Sequence, residues 1–120
     1  MPLVLIIDDQ SLVRKTISFI LHDQGMKILH ARNGRIGIQL ARTRNPDLIL
    51  CDIKMPEIDG FAVFDALQKE ETTSSIPFVF VTGLAHEISI KNKLCEREVA
   101  YMEKPFSVGS LLGVVKANLS

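Results

Sequence analysis

The sequence predicts an α/β fold, a doubly wound five-stranded parallel sheet of the (βα)5 kind with helices on both faces, and three observations predict it. Five short apolar runs alternate with stretches whose apolar residues recur at helical spacing. The connections between them are short. Strand-helix-strand units joined in this way lie parallel with right-handed crossovers, which puts helices on both faces of one sheet. The length of 120 residues suits a single domain, residues 1–120, that buries a core without disulfides or structural metal. Apolar residues make up 47% of the chain and charged residues 23%, a balance that excludes general disorder.

Leu3 to Ile7 is a continuous apolar strand that ends in two acids, Asp8 and Asp9. Ser11 is placed to cap the first helix, where Leu12, Val13, Ile17, Ile20 and Leu21 share one face while Arg14, Lys15 and Ser18 face water. Gly25 ends that helix, and Met26 to Ala31 forms the second strand. Asn33 then caps a helix carrying Ile36, Ile38, Leu40 and Ala41, which Gly34 and Gly37 weaken. Asn45-Pro46 breaks the chain before the third strand, Asp47 to Cys51, and Asp52 follows at once. Met55-Pro56 makes a loop, and Asp59 caps a third helix with Val63, Phe64 and Leu67 inward. Glu70 to Ser75 reads as a polar surface loop. Pro77 leads into the strand Phe78 to Val81, which ends at Thr82-Gly83. A less sharply patterned helix runs from about Ala85 to Glu96, and Val99 to Met102 is a short last strand closed by Glu103-Lys104-Pro105. Ser107 caps the final helix, with Val108, Leu111, Leu112 and Val115 inward at i, i+3, i+4 and i+7.

Bulk chemistry narrows the function. The 14 basic residues balance 14 acidic ones, so no net field draws the chain to DNA, RNA or an anionic membrane, and no direct nucleic-acid partner is expected. Cys51 and Cys95 lie far apart without metal or redox spacing, which reads as a free core thiol at Cys51 in a reducing cytoplasm. The amino-terminal apolar run is short, lacks a basic region and meets Asp8-Asp9, so it is no signal peptide. No apolar run is long enough to span a bilayer, and a cytoplasmic location without membrane contact is expected. His22, His30 and His86 share no ligand spacing and are read as non-functional.

Four of the five strands end in groups that can do chemistry: Asp8-Asp9, Asp52, Thr82 and Lys104. In a parallel sheet these share the carboxyl edge, where open α/β sheets bind ligands. Three carboxylates held together repel one another, and a hard divalent cation resolves that repulsion. Magnesium suits the set, because it takes one or two carboxylates, keeps several waters and completes its shell with phosphate oxygens. The Lys104 ammonium and the Thr82 hydroxyl suit the oxygens of a phosphoryl group. Such a site is built to place phosphate on Asp52 by in-line attack. Each residue also has a plain structural role open to it: Asp8 as a helix cap, Thr82 as a turn hydroxyl, Lys104 as a solvated charge and Tyr101 as strand packing. Their joint placement on one sheet edge favours the functional reading.

Along its whole length the chain resembles the CheY-like receiver (REC) domains of bacterial two-component response regulators. The resemblance rests on Asp8-Asp9, the run Asp52-x-x-Met55-Pro56-x-x-Asp59-Gly60, the Thr82-Gly83 step, and Tyr101-x-x-Lys104-Pro105-Phe106. It implies the flavodoxin-like strand order 2-1-3-4-5, for which receiver domains are themselves a standard example. It implies that Asp52 accepts a phosphoryl group from the phosphohistidine of a sensor histidine kinase or a histidine phosphotransfer protein, as in a phosphorelay. Asp9, Asp52 and the backbone carbonyl of Lys54 would hold Mg²⁺ directly, with Asp8 acting largely through bound water. Thr82 and Lys104 would contact the phosphoryl group, and Tyr101 would turn inward behind Thr82 as an aromatic switch. The Lys104-Pro105 bond would be cis. The fourth helix, fifth strand and fifth helix would then change shape to control an output domain or a partner protein. Such a domain phosphorylates and slowly dephosphorylates itself and turns over no independent substrate, so it is not an enzyme in the ordinary sense.

Two positions depart from the family pattern. Arg97 and Glu98 stand where a Gly-Ala pair usually precedes the fifth strand, which removes an easy left-handed cap and leaves the fourth helix longer, strained or differently angled. Lys54, two residues after Asp52, is placed to lie over the phosphoryl group and alter its lifetime. Lys91, Lys93, Glu96, Arg97 and Glu98 fit a solvated face as well as a dimer interface through the fourth helix, fifth strand and fifth helix. The alternative function is a magnesium-dependent phosphohydrolase using an aspartyl phosphate. It wants a second acid two residues after the nucleophile, where Lys54 stands, and a cap domain for which there is no room. A flavin or nucleotide carrier would need a Gly- or Ser/Thr-rich phosphate loop where Asp8-Asp9-Gln10-Ser11 stands. Ser120 reads equally as a natural end or as a cut before an output domain.

Overall fold

Each apolar run becomes a strand and each amphipathic stretch a helix in the computed structural model, which describes residues 1–119. The strands are β1 (Leu3–Ile7), β2 (Lys27–Ala31), β3 (Leu48–Cys51), β4 (Phe78–Thr82) and β5 (Ala100–Glu103). The helices are α1 (Ser11–His22), α2 (Gly34–Arg44), α3 (Gly60–Gln68), α4 (Glu71–Ser74), α5 (Ile88–Arg97) and α6 (Val108–Leu119). All strand pairs are parallel, in the order β2-β1-β3-β4-β5. This is the expected α/β fold with flavodoxin-like order.

Side chains alternate across each strand and so divide the core into two layers. Leu5 and Ile7 of β1 and Ile49 and Cys51 of β3 meet Ala41 of α2, Phe61, Val63 and Leu67 of α3, and Leu94 of α5. On the other face Val4, Ile6, Leu48 and Leu50 meet Ile17 and Leu21 of α1 and Leu111 and Val115 of α6. The inner strands β3 and β4 are buried throughout, as continuous apolar runs in a covered parallel sheet should be. Only Met102 is buried in the outer strand β5.

The two glycines that weaken α2 as a sequence prove to be what lets it pack. A Cβ at Gly37 would lie 2.5 Å from Ile7 Cδ1, and one at Gly34 would lie 2.9 Å from Val63 Cγ2. Helix propensity is given up for close approach to β1 and α3. Asn33 caps α2 as expected, its side chain accepting from the Ile36 N–H at 2.9 Å. Asp59 caps α3 through the Ala62 N–H at 2.9 Å, and Ser107 accepts from the Ser110 N–H at 3.0 Å at the start of α6.

Several local expectations are corrected. Ser11 does not cap α1; it is the first helical residue, and Gln10 occupies the cap position without a side-chain bond. Leu12 and Val108 point outward, 75% and 54% exposed, and Ile17 and Leu21 of α1 and Leu111 and Val115 of α6 form the buried faces instead. Arg14 is not a solvated charge: its Nη1 donates to the Asp8 carbonyl oxygen. The stretch Glu70 to Ser75 is not a plain loop, since Glu71–Ser74 makes one helical turn anchored by the buried Thr73, whose hydroxyl donates to the Leu67 carbonyl at 2.6 Å. Strands β2, β3 and β5 each begin one residue later than the apolar pattern suggests. Helix α5 begins at Ile88 rather than near Ala85 and runs one residue past the expected end, to Arg97. The left-handed residue after it is Glu98, with φ 52°.

Candidate functional site

Parallel register brings the strand ends together. Ile7 pairs with Cys51 across β1 and β3, Cys51 pairs with Phe80 across β3 and β4, and Thr82 pairs with Glu103 across β4 and β5. Asp8, Asp52 and Lys104 are the next residues along, so all three leave the sheet at the same edge. The backbone continues the ladder one step beyond the strands, with the Asp52 N–H donating to Ile7 O at 2.9 Å and the Lys104 N–H donating to Thr82 O at 2.8 Å.

Asp8 is 2% exposed and Asp52 9%. Their charges share one counter-ion: Lys104 Nζ donates to Asp8 Oδ2 at 3.0 Å and lies 3.5 Å from Asp52 Oδ2. Asp8 Oδ1 also accepts from the Gln10 N–H at 2.9 Å, and Asp52 Oδ1 from the Ile53 N–H at 2.8 Å. Burial, and then the neighbouring Asp8 charge, push the Asp52 carboxyl above its usual range, although Lys104 and the Ile53 N–H pull the other way. Burial also pushes the Cys51 thiol well up, with Asp52 adding to it, so Cys51 stays a protonated core thiol.

Asp9 is exposed at the rim. One carboxylate oxygen from each of Asp8, Asp9 and Asp52 can lie within 4.8 Å of the others. This is a set of hard oxygen donors around a point already shared with an ammonium, and it fits a hard divalent cation that keeps part of its water shell. Beside it opens a cavity of about 570 Å³ lined by Asp9, Gln10, Asp52, Lys54, Met55, Pro56, Gly83, Leu84 and Lys104.

The other predicted residues are placed as follows. Thr82 is fully buried, and its hydroxyl accepts from the Leu84 N–H at 3.0 Å, the turn role open to it from sequence. Tyr101 stands on β5, 42% exposed, and does not line the cavity. The Lys54 side chain is exposed on the cavity wall. The Lys104-Pro105 bond is cis.

The loop beyond Asp52 depends on two features that residue types do not announce. Glu57 has φ 66°, and the Ile58 N–H donates to Pro56 O at 2.8 Å, which makes a γ-turn around a non-glycine residue. Gly60 packs so closely on the site that a Cβ there would lie 2.2 Å from the Asp52 carbonyl oxygen. Gln10 and Arg14 also bind Asp8, one at its carboxylate and one at its backbone, and sequence reasoning missed both. Their position just after the acidic pair was the available signal.

Comparison with known proteins gives the family and the fold. The family model for the response regulator receiver domain matches residues 4–116. The polar-differentiation response regulator DivK of Brucella anthropi is 34% identical over 119 residues, covering 97% of this chain and 94% of that protein. The DNA-binding dual master transcriptional regulator RpaA of a Synechocystis species is 35% identical over 122 residues, covering 99% of this chain; the chain spans 49%, about half, of that relative's length. Among solved structures, the chemotaxis protein CheY4 of Vibrio cholerae superposes with a TM-score of 0.90 at 26% identity, over 99% of both chains. The signal receiver domain of a histidine kinase from Syntrophus aciditrophicus gives 0.92 at 28% identity, over 99% of this chain and 90% of that one.

Proposed function

The chain belongs to the response regulator receiver domain family of two-component signalling, and from that premise we propose that it is a phosphorylation-dependent switch with Asp52 as its phosphoacceptor. The observation that carries the reading is the pairing of two buried carboxylates, Asp8 and Asp52, with one lysine, Lys104, at the mouth of an open cavity. A buried carboxylate whose ammonium partner is shared is costly to keep. That arrangement suits a site whose charges are rebalanced when phosphate arrives.

An Asp52 carboxylate oxygen attacks the phosphorus of the donor's phosphohistidine; a new P–O bond forms as the P–N bond breaks, and the histidine nitrogen leaves with the bonding pair. Asp9, Asp52 and the Lys54 carbonyl would hold Mg²⁺, with Asp8 acting through bound water, and the bound ion would supply charge neutralisation for the phosphoryl oxygens in flight. Lys104 Nζ turns from the two carboxylates to the new phosphoryl oxygens. Thr82 leaves the Leu84 N–H and donates its hydroxyl to the same group. Tyr101 turns inward behind it, and the face formed by α5, β5 and α6 changes to act on an output domain or a partner protein. The domain shifts between two populations by the phosphoryl group's differential affinity for them. It catalyses no independent turnover. A dimer through the same face is a further form of output.

Intact mass after incubation with Mg²⁺ and acetyl phosphate tests the reading, beside Asp52→Asn and a chelated control. One added phosphoryl group is expected, absent from both controls. An adduct that persists in Asp52→Asn, or no adduct on a folded wild type, would overturn the assignment.

A further inference from the structure

Helix α5 is fastened to α3 by contacts that no family role accounts for. Arg97 Nε and Nη2 donate to the two oxygens of Asp65, each at 2.9 Å. The same guanidinium lies 4.7 Å from the ring centroid of Phe61, and Lys93, one turn earlier on α5, lies 5.5 Å from that ring. Phe61 and Asp65 are i and i+4 on α3, and Lys93 and Arg97 are i and i+4 on α5, so the two helix faces interlock. Arg97 Nη1 also donates to the Lys93 carbonyl at 3.1 Å, which fixes the fork. Asp65 and Arg97 hold each other charged: hydrogen bonding from Arg97 draws the Asp65 carboxyl below its usual range.

This attachment is out of proportion to the rest of α5, where only Leu94 is buried. It is also made against strain, since the residue after Arg97 is Glu98 in the left-handed region, which L side chains rarely adopt. The ring that Arg97 covers leads to the site. Phe61 packs on Phe80 at 5.1 Å between centroids, Phe80 lies two residues before Thr82, and Gly60 beside Phe61 rests on the Asp52 carbonyl. The clasp coexists with Thr82 bound to the Leu84 N–H and Lys104 bound to the carboxylates, the unphosphorylated arrangement.

We propose that Arg97 is a positioning residue, whose bidentate bridge to Asp65 over Phe61 latches the carboxyl-terminal end of α5 and opposes occupation of the Asp52 site. The inference rests on the functional reading above, in which Thr82 moves toward the phosphoryl group. That motion draws on the Gly83–Glu87 segment and hence on the amino-terminal end of α5, while the latch holds its other end. Linkage then requires that a phosphoryl mimic loosen the latch, and that a broken latch raise affinity for the mimic.

The test uses the full chain as wild type, Arg97→Gln, Arg97→Lys, Asp65→Asn and the Arg97→Gln/Asp65→Asn double variant. Beryllium fluoride with Mg²⁺, titrated by NMR, is the probe, and amide hydrogen exchange of residues 88–97 is followed without it. Breaking a bidentate bridge of this exposure is expected to tighten mimic binding by about two- to fivefold. The double variant should do no more than either single one, because the two groups act as a unit. Arg97→Lys keeps the charge but loses the planar fork, so it should behave like Arg97→Gln. Exchange in α5 should rise in all of them. General damage to the fold would weaken mimic binding, so tighter binding is the signature of the latch. Unchanged or weaker binding in variants of a wild type that binds the mimic, or additive effects in the double variant, would overturn the latch alone. A wild type that neither binds the mimic nor accepts phosphate would overturn the functional reading and the proposed coupling with it.

Discussion

Replacing Gly60 with alanine should damage this fold more than its position at the start of a helix suggests. The added methyl group would lie 2.2 Å from the Asp52 carbonyl oxygen, 2.9 Å from Ile53 Cα and 2.9 Å from a ring carbon of Phe80. Two of these are backbone atoms and the third belongs to a fully buried ring, so no flexible chain end can yield. Overpacking a closed core costs about 1–3 kcal/mol. Spreading the loop also stretches the Gly60 N–H bond to Ile53 O, now 2.7 Å, and such a bond contributes about 1 kcal/mol net. Alanine returns about 0.5–1 kcal/mol through helix propensity and a less disordered unfolded chain. The balance is a loss of about 1–3.5 kcal/mol. Gly113→Ala is the control: it lies inside α6 with nothing within 4 Å of the added carbon, so it should gain about 0.5–1 kcal/mol. Urea unfolding followed by circular dichroism reads both, with a slope of about 1–3 kcal/mol per molar. The Gly60→Ala midpoint should fall by about 1 M at the middle of these ranges while that of Gly113→Ala rises by a few tenths. A Gly60→Ala midpoint equal to wild type would refute the claim that close packing on Asp52 shapes the loop.

Two further outcomes follow from the site. Because burial and the Asp8 charge hold the Asp52 carboxyl above its usual range in the fold, the native chain binds that proton more tightly than the unfolded chain, and stability falls as pH rises through the folded value. Asp52→Asn should therefore be more stable than wild type at neutral pH in a chelating buffer. The advantage should vanish as pH falls below the unfolded carboxyl value of about 3.9; a gap in urea midpoint that does not change with pH would count against it. Lys54 makes no ion pair or side-chain hydrogen bond among the described residues and borders the same cavity as Asp52. Lys54→Asn removes an apolar stem and a charge from above the proposed acyl phosphate, so water should reach it sooner and the phosphate lifetime should shorten severalfold. Intact-mass decay measures this, and an unchanged lifetime would remove Lys54 from the account.

How much of this was legible in the chain depended on which atoms carry the signal. Strand ends were readable because a covered parallel strand is an unbroken apolar run, and Asp8 and Asp52 each stand where such a run stops, whereas Lys104 follows Glu103 at the end of the exposed outer strand β5. Asn33, Asp59 and Ser107 could be read as caps because their side chains do the capping. What escaped is held by backbone or by partners distant in sequence. Nothing in the letters Glu57 and Glu98 announces a positive φ, since surrounding contacts impose it. Thr73, read as part of a polar loop, is buried because its hydroxyl finds the Leu67 carbonyl. Helical spacing gives Arg14 a solvated position and cannot show that its guanidinium reaches back to the Asp8 carbonyl. Arg97 was visible as a departure from the family pattern, but its partner Asp65 lies 32 residues away and no spacing rule connects them.

The distribution of burial indicates which part of the molecule can answer a change at Asp52. The strands that present Asp8, Asp52 and Thr82 are closed on both faces: β3 and β4 have no exposed residue, and β1 has four of its five buried. Moving any of them breaks many close contacts at once, and packed cores respond in discrete steps rather than by gradual bending. Toward β5 the packing thins. Three of the four residues of β5 are exposed, and α5 buries Leu94 alone. Local opening is least costly where few buried contacts are lost. A phosphoryl group on Asp52 that pulls on Thr82 would therefore move the segment leading to α5 before it moved the strand carrying Thr82. In this chain the thin side is reinforced by the Arg97–Asp65 bridge over Phe61. The equilibrium between the two conformations would then shift by the roughly two- to fivefold expected of that bridge, and a substitution far from the phosphate could tune the switch without touching its chemistry.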